Sequence, residues 1–445
     1  MSFLLDKFKS YSFKPALIFD EVSYTYEDFI KQIEKYIKTL NESQINSKVV
    51  AILGDYSFSN LALFFALYET KNIIVPITTT VKKVQDEYLQ ESFCQICIET
   101  FKDELIISSL NQTNSHNMLD SLKEKNSSGL VLFSSGSTGK PKAMIHNLDN
   151  LINSYKDKKE KSMNMLVFLI FDHIGGLNTV FNALFMGACL IIPKIKDAKN
   201  ICALIEKYKI LVLPSSPTFL NLILISGEYE KHDLSSLRMI TYGTETMPQS
   251  LLDRLKEAFP KVKFLQTFGT SETGINTTSS QASNSLFMKL ENINCEYKIV
   301  ENELWLRSAT QVLGYLNASM DSFTSDGWFK TGDLVETSQS GYIKIIGRSK
   351  EVINVGGQKV LPSEVESVIL TLDFVDDCMV YGEANAITGQ TVVCDVILNK
   401  DVENIKKIIR LFCKDKLDSF KIPTKVNVVE KTNFSDRFKK IRRKD

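Results

Sequence analysis

The feature that most restricts this chain is an alternation of short apolar runs with helical stripes. In "YEDFIKQIEKYIKTL" the residues Phe29, Ile30, Ile33, Tyr36, Ile37 and Leu40 fall on one helical face. "VVAIL" (Val49–Leu53) follows as a strand, "NLALFFALYE" (60–69) as a helix and "NIIVPI" (72–77) as a strand. The order returns in "ICALIEKYKI" then "LVLP", and in "SLLDRLKEAF" then "VKFLQ". "LVFLIF" (166–171) has the length of a core strand. Strands alternating with helices predict a mainly parallel α/β sheet with right-handed crossovers. From about 275 to 346 the helical period fades, and turns such as "SDGW" and "QSGY" predict a β-rich subdomain. Past Arg348, helices return in "PSEVESVILTL" and "VENIKKIIRLFCKDKL", with strand-like "DCMVYG" and "TVVCDVIL" between them. We therefore expect an α/β chain: a large N-terminal domain, 1–349, and a small α+β C-terminal domain, 350–445.

Composition excludes several classes. Lys plus Arg and Asp plus Glu are 53 each, so no global field draws the chain to nucleic acid or to a membrane surface. "MSFLLDKFKS" lacks the basic flank and long apolar core of a signal peptide, and no run is long enough to span a bilayer. The eight cysteines are scattered. Cys94 and Cys97 form a CxxC, but the segment alternates like a strand and no second pair has zinc spacing. Buried thiols of a cytoplasmic protein are the expectation.

"SSGSTGKPK" (134–142) follows the apolar run 130–133. Small residues let backbone N–H groups approach oxyanions, hydroxyls add donors, and lysine adds charge, so a strand followed by this loop has the form of a phosphate cradle. A flexible linker is the plainer alternative. It is not a P-loop. Counting back from Gly139–Lys140, the first glycine of that motif falls on Ser134, and Pro141 stands where a magnesium-binding hydroxyl is needed.

The loop resembles the signature of the adenylate-forming enzymes, which include acyl- and aryl-CoA synthetases, peptide-synthetase adenylation domains and luciferases. Further segments resemble that family's motifs in its order. "TYGTETMP" (241–248) is similar to the adenine-pocket segment, with Gly243, Thr244 and Glu245. "TFGTSETG" (267–274) is similar to the motif in which an aromatic stacks on adenine and a glutamate holds magnesium: Thr267, Phe268, Gly269, Thr270, Ser271 and Glu272. "DGWFKTGDL" (326–334) resembles the ribose motif through Asp333, and "GRSKEVINVGGQKVLPSEVE" (347–366) the hinge region. The resemblance implies a mobile small domain. It assigns ATP or AMP to Ser135, Gly136, Ser137, Thr138, Gly139 and Lys142, and to Asp333, Ile345 and Arg348; magnesium goes to Glu272 and Thr138. It implies a hinge at Lys350 and a CoA tunnel at Gly356 and Gly357. The chemistry of the residues agrees. Hydroxyls and Lys142 suit phosphates, Glu272 is a hard oxygen ligand, and Asp333 can accept two hydrogen bonds from a vicinal diol.

"FDHIGGL" (171–177) matches the family's acyl-site motif, with His173 at the position of a CoA-synthetase histidine. Asp172 leaves a peptide-synthetase alignment open, and a helix-end role for His173 is the plainer alternative. An acyl pocket of His173, Ser216 and Gly269 is implied. Glycine at 269, where acetate-specific relatives carry an indole, predicts an open floor and an acid larger than acetate. The implied reaction is ATP- and magnesium-dependent activation of a carboxylic acid to an acyl adenylate, then transfer to CoA. Loading onto the phosphopantetheine of a discrete acyl carrier protein remains an alternative, as does a non-catalytic nucleotide-binding relative.

The tail "KTNFSDRFKKIRRKD" (431–445) departs most from the family, which carries Ser-Gly-Lys there. Aligned backward from "KIRRK", Lys440 falls on the catalytic lysine and Lys439 on the glycine. Aligned forward, the lysine slot falls near 435–437. The backward register makes Lys440 the expected cation.

Overall fold

The computed structural model describes residues 3–134, 140–291, 295–430, 432, 434–435 and 438–442. Helix Tyr26–Glu42 begins at a reciprocal cap. The Thr25 hydroxyl accepts from the Asp28 amide, and the Asp28 carboxylate accepts from the Thr25 amide. Its stripe Phe29, Ile30, Ile33, Tyr36 and Leu40 is buried. Helix Phe58–Glu69 has no polar face, because every residue from 58 to 68 is buried. A helix apolar all round needs cover on every side. With helix Ile174–Phe185 it shares one apolar core that draws on two seven-stranded sheets.

In the first sheet the strands run Gly314–Tyr315, Lys142–Asn147, Gly129–Ser134, Ile73–Ile77, Val49–Leu53, Ile96–Phe101, Glu104–Ser109. The four strands from Gly129–Ser134 to Ile96–Phe101 are parallel and the edges antiparallel. The second sheet runs Lys263–Gln266, Met239–Tyr242, Val212–Ser215, Asn164–Leu166, Cys189–Ile192, Pro15–Phe19, Val22–Thr25. It is parallel up to its final hairpin. The expected strand over 166–171 is shorter than the apolar run. Only Leu166 belongs to it, at the end of Asn164–Leu166. Asp55 takes the Phe171 amide at 3.0 Å, which turns the buried run out of the sheet and toward helix Ile174–Phe185.

The β-rich region is a six-stranded antiparallel sheet: Thr278–Ser280, Met288–Leu290, Ile343–Arg348, Phe329–Thr337, Glu303–Ser308, Cys295–Val300. A 3₁₀ turn, Ser349–Glu351, leads from it to the C-terminal sheet, in which Val375–Asn385 and Gly389–Leu398 form a long hairpin. That sheet has its own apolar core with helices Pro362–Ile369 and Ile405–Lys414.

All eight cysteines are free, seven buried and Cys295 partly so. Burial pushes the Cys94, Cys189 and Cys202 thiols up to about 12, and Cys97, Cys295 and Cys413 to about 11. Among the described residues no three His, Cys, Asp or Glu side chains cluster as a metal site, and no helix is long and apolar enough to cross a membrane.

Candidate active site

Ser134 lies opposite Lys142 in the antiparallel pair Gly129–Ser134/Lys142–Asn147. The ladder thus fixes both ends of the phosphate-loop candidate. Ser135, Gly136, Ser137, Thr138 and Gly139 lie outside the described residues. On the other side of Lys142–Asn147, the short strand Gly314–Tyr315 adds in register, with Tyr315 opposite Met144. The Lys142 ammonium consequently sits 4.9 Å from the centre of the Tyr315 ring. The Tyr315 hydroxyl donates to Glu272 Oε1 at 3.1 Å, and the Val312 amide donates to the Glu272 carbonyl at 2.8 Å. Burial, then the Glu272 charge, raises the Tyr315 phenol, so it stays a donor. The Thr270 hydroxyl accepts from the Thr273 amide at 3.1 Å, closing the turn that carries Ser271 and Glu272. Behind this turn His146, 1% exposed, lies against the backbone of Ser271 and Thr310 without a well-formed hydrogen bond. Burial lowers its pKa to about 4.

Asp333 and Arg348 face each other on neighbouring strands, with Arg348 Nε 2.9 Å from Asp333 Oδ1. Asp333 is 4% exposed. Burial raises its pKa, while the charges of Arg348 and then Lys439 pull it down. Arg348 is held above its usual value, foremost by Asp333, and Glu272 contributes too. Phe268 and Ile345 both pack in the apolar core of the six-stranded sheet, Phe268 at 9% exposure.

A Cβ on Gly243 would stand 2.7 Å from Thr267 Oγ1 and 2.8 Å from the Thr267 carbonyl oxygen, so only glycine permits that approach. The next residue, Thr244, has φ +74° although it is β-branched, and its hydroxyl is buried with no partner among the described residues. Strain of this kind concentrates at functional clefts. Glu245 is tied down by two backbone amides: Thr218 at 2.8 Å and Lys440 at 3.2 Å.

The acyl-pocket candidates divide. His173 caps helix Ile174–Phe185, its Nδ1 accepting from the Gly175 amide at 3.0 Å. Ser216 caps helix Pro217–Ser226 and donates to the Phe438 carbonyl at 2.9 Å. At Gly269, where an open floor is expected, hairpin backbone lies close to the missing side chain. A Cβ there would meet the Gly274 carbonyl oxygen at 2.5 Å and Ile275 Cα at 2.7 Å, because the hairpin Phe268–Thr270/Gly274–Asn276 closes over it. Gly356 and Gly357 form the tip of the hairpin Ile353–Val355/Gln358–Val360, both at positive φ, as a two-residue turn of that kind requires. Lys350 is exposed within the 3₁₀ turn.

The Lys440 side chain is engaged by the strand Val375–Asn385. Its ammonium bonds Asp377 Oδ1 and the Cys378 carbonyl, both at 2.7 Å, with the side chain one-tenth exposed. Burial works against that charge, but Asp377 and Glu366 outweigh it and hold the ammonium above its usual value. Thr432 donates to the other Asp377 oxygen at 2.9 Å. Arg442 pairs with Glu366 and, at 3.1 Å, with Glu351. Lys439, expected at the glycine slot, is the tail lysine whose charge acts on Asp333. Sequence reasoning missed Tyr315, Asp377 and Glu366. The one signal for Tyr315 was an aromatic directly after a glycine in "LGYL".

The family model described as AMP-binding enzyme matches residues 6–316, and that of the AMP-binding enzyme C-terminal domain matches 364–435. The chain belongs to the AMP-binding enzymes. A 2-succinylbenzoate–CoA ligase of Listeria innocua is 24% identical over 440 residues, 93% of this chain and 92% of that protein. The 4-coumarate–CoA ligase 4 of Arabidopsis thaliana is 27% identical over 326 residues, 63% of this chain. The match spans 57% of the length of that ligase, and 61% in the case of a CoA ligase of Rhodococcus jostii. Among solved structures, the anthranilate CoA ligase AuaEII in complex with anthranoyl-AMP superposes with a TM-score of 0.82 at 19% identity, covering 98% of this chain and 95% of that one. The fold of this AMP-binding enzyme is therefore that of the adenylate-forming enzymes.

Proposed function

We propose that this protein activates a carboxylic acid with ATP to an acyl adenylate and passes the acyl group to the thiol of CoA. What supports this reading most directly is one string of charged groups drawn from distant parts of the chain. Lys142 meets Glu272 through Tyr315, Glu272 is felt by Arg348, and Arg348 and Lys439 converge on Asp333. A nucleotide fits such a string: the diol of its ribose on Asp333 and its phosphates toward Lys142. The buried, unpartnered Thr244 hydroxyl beside them suits a polar ligand edge. One carboxylate, Glu272, fits magnesium, which commonly takes one or two carboxylates and completes its shell with substrate phosphates and water. Magnesium there neutralises phosphate charge.

The acid's carboxylate oxygen attacks the α-phosphorus, and pyrophosphate leaves with the α–β bridging oxygen. Lys142 stabilises the departing phosphates, and Lys439 the charge that grows on the α-phosphate and the attacking oxygen. In the second step the CoA sulfur attacks the acyl carbon, the bond to the AMP oxygen breaks, and the thiol proton is released. We take 350–445 as the unit that turns about Lys350 between the two steps. The free cysteines fit a cytoplasmic location. Two relatives are named for 2-succinylbenzoate and 4-coumarate, so aryl acids are the first class to test. The test is acid-dependent exchange of labelled pyrophosphate into ATP across an acid panel, then AMP release on adding CoA. Exchange with an acid and AMP release with CoA alone are expected. Exchange without a CoA response would shift the acceptor to a carrier protein.

A further inference from the structure

Phe438 precedes Lys439 and stands in the left-handed region, at φ +51°. For a bulky aromatic residue this is an outlier, and glycine would adopt it freely. Ease of turning therefore does not account for phenylalanine at this position. Its ring does have a socket. It lies 5.1 Å from the Phe168 ring, 4.9 Å from Phe219 in an edge-on arrangement at 68°, and stacks on Phe434 at 5.5 Å. Phe168 and Phe219 are fixed in the core beneath the second sheet, 4.3 Å apart. The backbone around Phe438 is pinned to the same part of the large domain. Ser216 Oγ donates to its carbonyl, and Glu245 accepts the Lys440 amide two residues on.

We infer that Phe438 is a positioning residue for adenylation: its ring seats in the Phe168/Phe219 socket and thereby aims Lys439 at the Asp333 site. This rests on Lys439 being the cation of the first step. Three features support the inference. The socket belongs to the large domain, because both of its rings pack in the core beneath the second sheet. Three consecutive tail residues act apart: the Phe438 ring enters the socket, the Lys440 ammonium bonds Asp377, and the charge of Lys439 between them is felt at Asp333. Finally, the anchor is apolar apart from two hydrogen bonds, so it can release when the small domain turns for thioester formation.

The test compares Phe438→Ala, Phe438→Gly and Lys439→Ala. Hydrogen exchange of the Lys440 amide in the ligand-free protein should be about tenfold or more faster in both Phe438 variants, with helix Tyr26–Glu42 unchanged. With 4-coumarate or 2-succinylbenzoate as acid, pyrophosphate exchange should fall about tenfold in kcat at unchanged KM for ATP. Supplied acyl adenylate should still pass to CoA at the normal rate. Phe438→Gly removes the backbone strain and the ring together, so wild-type behaviour of that variant would overturn the role of the ring. Equal loss in both half-reactions would overturn it too, leaving a merely structural residue. If neither acid is turned over, the amide exchange decides. Adenylation left intact in Lys439→Ala would defeat the assignment of Lys439, and does so independently of how the Phe438 variants exchange.

Discussion

The two halves of the site are held by different physics. Lys142 and Asp333 sit on strands whose cores are almost wholly apolar, their side chains aimed by ladder register, and Glu272 sits in the turn of a hairpin. The tail half hangs on buried ion pairs, Lys440 with Asp377 and Arg442 with Glu366, and on one aromatic anchor. Register sets buried Asp333 and its partner Arg348 opposite each other on neighbouring strands, so their alignment does not rest on the ion pair alone. An ion pair by itself fixes a side chain only while both partners remain, and losing one strands the other in a poor dielectric. The sheet half thus keeps its geometry through the backbone ladder, and the tail half through its partners.

The largest expected effect separates the two tail lysines. Lys439→Ala should lower pyrophosphate exchange by about 10²–10³-fold, the cost of removing one preorganised charge from a developing oxyanion. Lys440→Met should cost far less in that assay but should destabilise the protein in urea by up to about 3 kcal/mol, because Asp377 is left buried without its cation. The reverse ranking would exchange their roles. Next in size is a property of the sheet half. His146 has a folded pKa of about 4 against about 6.5 when unfolded, so between those values the unfolded chain binds a proton that the folded one refuses. Its contribution to stability is present above pH 6.5 and lost as pH falls toward 4, by about 3 kcal/mol in all. Urea midpoints of His146→Leu should be flatter over that window, and an unchanged slope would disprove the assignment. Tyr315→Phe keeps the ring under Lys142 and removes the bond to Glu272. It should weaken apparent magnesium affinity about fivefold, near 1 kcal/mol, measured as the magnesium dependence of exchange. The smallest effect is that of salt. Raising ionic strength from about 0.1 to 0.5 M should change Lys440 amide exchange by less than about twofold, since its pairs are shielded from solvent.

Much of the sheet half was legible in the sequence. Apolar runs alternating with helical stripes predict the parallel strands, and the stripe of Tyr26–Glu42 is buried as its spacing predicts. Asp333 and Arg348 could be paired with one nucleotide by resemblance. Tyr315 could not, because it meets Glu272 across 43 positions through a two-residue strand too short to show a period. At Gly269 the sequence shows only a missing side chain, which reads equally as space for a substrate or as space for a neighbouring backbone, and the hairpin backbone lies against it. The adjacent lysines defeated alignment for a related reason. Lys440 is taken up by Asp377, 63 positions upstream, and no local pattern encodes that.

The inert cysteines carry a consequence for chemical fidelity. An acyl adenylate is a mixed anhydride that reacts with whichever thiolate finds it first. With their thiols pushed up to about 11 or 12, Cys94, Cys97, Cys189, Cys202, Cys295 and Cys413 are almost entirely protonated at neutral pH, and burial raises Cys378 as well. On the proposed reaction, these thiols offer an acyl adenylate little competing sulfur, and self-acylation is suppressed without a dedicated barrier. A cysteine introduced on the rim of the cleft would remove that protection and become a covalent trap for the acyl group, reporting by mass which acid the enzyme had activated.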